Sequence, residues 1–172
     1  MKLSANEEYG LRCLLRLGQA GPGGSLTIPE ISEAEGMSEA YVAKLLRVLR
    51  RGGLVKAARG NVGGYSLARP ADQIILSDVM NVLGQRVFQD DFCETHSGQM
   101  TSCVRAVDCS LRVLWRDIQA AVDRVLQRTT LEDLFRSEKQ MVAWVEGLKH
   151  FAAVQPESAE ARVTGHRIIR TT

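Results

Sequence analysis

Residues 27–70 read TIPEISEAEGMSEAYVAKLLRVLRRGGLVKAARGNVGGYSLARP, and this stretch decides the fold. Thr27-Ile28-Pro29-Glu30 has the form of a capping box, with proline tolerated in the first turn. It predicts a short helix carrying Ile31 and Ala34. Glu35-Gly36-Met37 makes a tight turn. Ser38 opens a second helix, with Val42, Leu45, Leu46 and Leu49 at helical spacing and Gly52-Gly53 to end it. Two helices joined by a glycine-containing turn of this length form a helix-turn-helix. Leu54–Ala58 reads as a strand, Arg59–Gly64 as a turn dense in glycine, and Tyr65–Ala68 as the returning strand. A hairpin placed directly after the second helix is a wing.

The second helix has another face. Ser38, Tyr41, Lys44, Arg47 and Arg51 follow three- or four-residue steps opposite the leucines. A recognition helix needs this division: one side packs, and the other offers donors to phosphates and base edges. Arg59 sits at the wing tip among glycines that let the backbone approach a phosphate or a minor groove. The charge is local. The whole chain has 22 basic and 20 acidic residues, a net charge of +2. Between Ser38 and Arg69, however, Lys44, Arg47, Arg50, Arg51, Lys56, Arg59 and Arg69 stand against Glu39 alone. A basic block in a near-neutral protein suits a polyanion; by charge alone it equally fits a solvated, arginine-rich helix face, and it is the helix and wing together that favour DNA.

Outward from this core, Ser4-Ala5-Asn6-Glu7 is another capping box. It opens an apolar helix through Leu11, Leu14 and Leu15 that stops before Gly21-Pro22-Gly23-Gly24; Cys13 within it is a core residue. A further helix falls in Ile74–Leu83, starting near Ser77-Asp78, and Gln85–Phe88 reads as a brief strand. Leu111, Leu114, Trp115, Ile118, Ala121, Val122, Val125 and Leu126 form the longest helical stripe. It suits a partner helix, or packing inside one subunit; the two-fold symmetry common to helix-turn-helix proteins favours the partner. Thr129–Leu134 and Ser137–Phe151 read as two more helices, followed by a polar tail. The expected organisation is a DNA-binding domain over 1–88, a cysteine loop over 89–110, a dimerisation helix with C-terminal helices over 111–151, and a flexible tail over 152–172. The fold class is mainly α with a small β-hairpin wing. No apolar run reaches membrane-spanning length, and the polar N-terminus is not a signal peptide, so a reducing cytoplasm is expected.

Residues 93–109, CETHSGQMTSCVRAVDC, hold three of the four cysteines: Cys93, Cys103 and Cys109. Their spacing does not fit the close cysteine pairs of structural zinc. Thiolates on a flexible loop suit an iron–sulfur cluster, and a thiol switch is the competing reading. With three thiols, the fourth position of a cluster site is open to a carboxylate or to His96. No phosphate-binding glycine motif and no Ser-His-Asp set is present, which argues against an enzyme. An iron–sulfur carrier or redox enzyme remains as a rival from another class, and the basic helix and wing speak against it.

MKLSANEEYGLRCLLRLG, LTIPEISEAEGMSEAYVAKLLRVLRRGGLV, RGNVGGYSLARP and CSLRVLWRDIQAAVDRVLQRTTLEDL resemble the Rrf2 family of bacterial transcription regulators. The resemblance implies a homodimer of winged helix-turn-helix subunits on a palindromic operator, expected to act as a repressor. It implies an iron–sulfur cluster, [2Fe-2S] or [4Fe-4S], on Cys93, Cys103 and Cys109. In some branches of the family an acidic residue at the start of the first helix completes the site from the other subunit; Glu8 occupies that region here, with Glu7 beside it. Cluster state would report redox, iron, nitric oxide or sulfur status. A branch of the family uses a histidine three residues after the last cysteine; Arg112 stands there in this chain.

Overall fold

The computed structural model describes residues 4–58, 63–84 and 92–153, with side chains described as far as 147. It divides into two compact units, 1–137 and 138–172.

The first unit begins with α1, Ala5–Gln19. Ser4 and Glu7 close the expected capping box: the Ser4 N–H donates to Glu7 Oε2 at 2.6 Å, and the Glu7 N–H donates to Ser4 Oγ at 3.3 Å. Such caps satisfy amides that the first helical turn leaves open. Cys13, Leu14 and Leu17 face inward and are essentially inaccessible. Thr27 and Glu30 form the second box, at the head of α2, Ile28–Glu35. Gly36 ends that helix in the left-handed region, φ 64°, which favours glycine. Ser38 then caps α3, Glu39–Arg51, whose Val42, Leu45, Leu46 and Leu49 are all buried. These leucines join Leu14, Leu17, Ile31, Leu54, Ile74 and Val79 in one core. Each fully buried leucine or isoleucine contributes about 1.5–3 kcal/mol relative to an exposed one.

The wing is an antiparallel pair, β1 (Val55–Ala58) and β2 (Gly64–Leu67), with Val55 opposite Leu67 and Ala58 opposite Gly64. A third segment joins it. Leu26 bridges Tyr65, with N–H to carbonyl contacts of 3.0 and 2.8 Å in the two directions. The residue before the Thr27 cap is therefore tied to the wing.

After a 3-10 turn at Ala71–Gln73 comes α4, Leu76–Leu83, which begins slightly earlier than the expected Ser77. The expected strand at 85–88 lies outside the described residues. A one-turn helix, α5 (Phe92–Thr95), opens the cysteine segment. The long helix α6, Ser110–Arg128, packs on α4. The helix expected over 129–134 is different in the structure. Thr129 is extended, and Ile75 and Thr130 form a bridge in which Leu131 donates to Ile74 and Leu76 donates to Thr129, both at 2.8 Å. Only then does a 3-10 turn run from Glu132 to Phe135. The cause is local: Asp133 Oδ2 accepts from both the backbone N–H and the hydroxyl of Thr130, at 2.8 and 2.9 Å. That side-chain cap competes with helix continuation across Thr129-Thr130.

The second unit contains α7, Glu138–Ala153. No helix among the described residues is long and apolar enough to cross a membrane.

Candidate nucleic-acid interface and cysteine loop

The burial of its leucine face fixes which side α3 shows to solvent. Lys44, Arg47, Arg50 and Arg51 are all exposed, and Lys56 is exposed on β1. Ser38 stands exposed at the head of the helix, where its Oγ accepts the Tyr41 N–H at 3.3 Å. Tyr41 has a second attachment. It is half-buried against α1, its hydroxyl donates to Asn6 Oδ1 at 3.0 Å, and its ring meets Tyr9 edge-on at 5.8 Å. Lys44 Nζ lies 5.9 Å from the Tyr41 ring centre, and the Arg12 guanidinium lies 5.4 Å from that of Tyr9. Arg59 lies outside the described residues, with the turn of the wing.

The periodicity of α3 therefore brings Ser38, Lys44, Arg47 and Arg51 to one exposed side, and Tyr41 belongs partly to packing. The residues that periodicity missed are Asn6 and Tyr9. Their three-residue spacing places both on one face of α1, but nothing in a single sequence pairs that face with Tyr41.

Glu8 is exposed on α1 and accepts from Arg12 Nε at 3.0 Å. An exposed pair of this kind is worth only about 0.3–0.5 kcal/mol, so it is readily exchanged.

The three loop thiols are free and half-buried. Cys93 is in α5, Cys103 lies in the connection, and Cys109 is the N-cap residue of α6. Between them the chain is held sparsely, by Ser97 Oγ to the Met100 carbonyl at 2.7 Å, Ala106 N to the Cys103 carbonyl at 3.0 Å, and Arg112 Nη1 to the Ala106 carbonyl at 3.0 Å. Among the described residues no three Cys, His, Asp or Glu side chains converge into a group that could hold a metal ion. The donor chemistry nevertheless fits an iron–sulfur cluster: three unpaired, solvent-accessible thiols on one lightly tied loop. The fourth cysteine contrasts with them. Burial and the nearby Glu35 charge push the Cys13 thiol up to about 12.

A helix-turn-helix with a wing and an arginine-rich outer helix face defines a winged-helix DNA-binding transcription regulator. The chain belongs to the Rrf2 family: the family model, described as an iron-dependent transcriptional regulator, matches residues 3–137. It is 34% identical over 136 residues to Protein rrf2 of Nitratidesulfovibrio vulgaris, covering 79% of this chain and 88% of the relative. It is 35% identical over 140 residues to the HTH-type transcriptional regulator IscR of Cereibacter sphaeroides, covering 80% of this chain and 89% of the relative. Among solved structures, CymR, the global cysteine regulator of B. subtilis, superposes with a TM-score of 0.60 at 33% identity, covering 78% of this chain and 95% of that one.

Proposed function

We propose that this chain is a homodimeric, cytoplasmic repressor whose grip on a palindromic operator is set by an iron–sulfur cluster on Cys93, Cys103 and Cys109. The observation that carries the reading is the position of Cys109. The last thiol of the loop is the N-cap residue of α6, so whatever ties the three thiols together also fixes the start of that helix. The apolar stripe of α6 is largely uncovered: Leu111, Leu114, Trp115 and Val125 are exposed, and the one buried residue of the helix, Gln119, lies outside the stripe. A stripe of this length left open suits a second copy of the chain. The iron-dependent description of the family supports the cluster.

In this mechanism Lys44, Arg47 and Arg51 engage phosphates and base edges in a major groove, with Ser38 at the helix head and Arg59 on the wing. Tyr41 braces α3 against α1. The cluster would supply a redox-sensitive tie among the thiols. For its fourth position the chain offers two non-thiolate donors, Glu8 from the partner copy and His96 from the loop itself. The half-sites of an operator lie about 34–36 Å apart. A change in how α6 is anchored alters the spacing of the two α3 helices, and with it the fit.

Anaerobic purification tests the reading. The expected protein is brown, carries iron and sulfide, loses both in Cys109→Ser, and changes operator affinity when the cluster is removed. A colourless, iron-free protein whose DNA binding answers only to thiol oxidants would establish a cluster-free thiol switch instead.

A further inference from the structure

The outer helix of the helix-turn-helix is anchored unevenly. Val42, Leu45, Leu46 and Leu49 bury the inner face of α3 along most of its length. Its head is looser. Ser38, Glu39 and Ala40 are exposed, and Tyr41 is the first residue that is even half-buried. In helix-turn-helix proteins the N-terminal residues of this helix meet the base edges. The aim of the head therefore matters most where sequence is read.

Tyr41 fixes that aim through a polar bond to another helix. Its hydroxyl donates to Asn6 Oδ1 at 3.0 Å, and its ring meets Tyr9 edge-on, 83° from parallel. One turn further along α3, Lys44 Nζ lies 5.9 Å from the centre of the same ring. Asn6 is itself on firm ground. It lies in the first turn of α1, inside the Ser4–Glu7 capping box. The Glu7 side chain of that box is buried, and it fills the space beside Gly84 at the end of α4 so closely that an added methyl there would overlap Oε1. One turn on, a Cβ at Gly10 would stand 2.5 Å from Leu83 Cδ1. The end of α4 thus clamps the head of α1. A side chain carried on a turn held in this way is a fixed reference point for its neighbour.

We infer that Asn6 is a positioning residue for sequence reading: it holds the Tyr41 ring, the ring seats Lys44, and the head of α3 is aimed by the pair. The inference rests on the DNA-binding reading of this helix face. Phosphate contacts fix where a protein sits on DNA and carry no sequence information, whereas contacts to base edges carry it. Loss of aim therefore reduces the preference for one sequence over another and leaves general affinity for DNA as it was.

The test starts from the full chain and a library of randomised duplexes, from which the wild type enriches a preferred sequence. Affinity is then measured for that sequence and for an unrelated duplex of equal length, well below the unfolding temperature. Asn6→Ala and Tyr41→Phe should each lower the ratio of the two affinities by about 2- to 10-fold, the worth of one hydrogen bond. Affinity for the unrelated duplex and its salt dependence should not change. The double variant should lose no more than either single one, because both remove the same bond. Asn6→Asp keeps an acceptor for the Tyr41 hydroxyl and should keep the ratio, even where its added charge weakens binding to both duplexes alike. If Asn6→Ala does not fold, Tyr41→Phe and Asn6→Asp decide the point. An unchanged ratio in the loss variants, losses that multiply in the double variant, an equal loss on both duplexes in Asn6→Ala, or a ratio that falls in Asn6→Asp overturns the inference. A wild type that enriches no sequence overturns the DNA-binding reading itself, and that result is separate because it is seen before any variant is made.

Discussion

Tyr41 is a residue with two duties. It lies on the polar side of α3, yet its hydroxyl reaches Asn6 on α1 and its ring meets Tyr9. Tyr41→Phe removes one hydrogen bond and keeps the ring, so it should lower unfolding stability by about 0.5–1.5 kcal/mol, read from urea denaturation. Lys44 and Arg47 lie further along the same exposed side, and their loss should be felt in DNA binding and not in stability. If Arg47 contacts a phosphate, Arg47→Ala weakens binding to all sequences and lowers the slope of log affinity against log salt by about 1. If Lys44 reads a base, Lys44→Ala costs about 1–3 kcal/mol at the operator and relaxes specificity at one position. Titrations at several salt concentrations separate the two roles. The sequence placed both cations on one face, because helical period alone decides that. It could not divide Tyr41 between groove and core, because the partner residue lies 35 positions away.

The elements are joined by close contacts that leave little room. Gly84, after α4, has an ordinary φ of −130°, so its backbone does not require glycine. A Cβ there would stand 1.9 Å from Glu7 Oε1. Gly84→Ala should therefore push the Glu7 carboxylate out of the α1 cap and cost about 1–3 kcal/mol, the usual scale for overpacking. Thermal unfolding measures the loss, and adding Glu7→Ala should leave the second substitution nearly free of further cost. For α6 the consequence is assembly. Ile118→Glu with Val122→Glu puts two charges on the apolar stripe, and sedimentation velocity should then find a monomer with weakened operator binding. The long helices and the hairpin were legible in the sequence because caps, glycines and three-to-four spacing carry through many residues. The two short bridges, Leu26 to Tyr65 and Ile75 to Thr130, were not. A pairing of one or two residues has no period to detect, and at Thr129-Thr130 a side-chain cap overrode the helical reading.

At the scale of the whole molecule, the cysteine segment was visible as a concentration of thiols. Its donor geometry was not, since the three thiols lie along a sparsely bonded loop and nothing in their spacing fixes how that loop closes. The fourth cysteine provides a control the loop cannot. Cys13 is fully enclosed by the core, and its thiol is pushed up to about 12. At neutral pH it is neither accessible nor ionised while the unit stays folded. An alkylating reagent applied to the reduced, metal-free chain should therefore add three labels quickly and then stop. The fourth label should appear only at the rate at which the core opens, and mass spectrometry resolves the steps. The molecule thus carries its own clock for unfolding, read at one atom and independent of the chemistry in the loop.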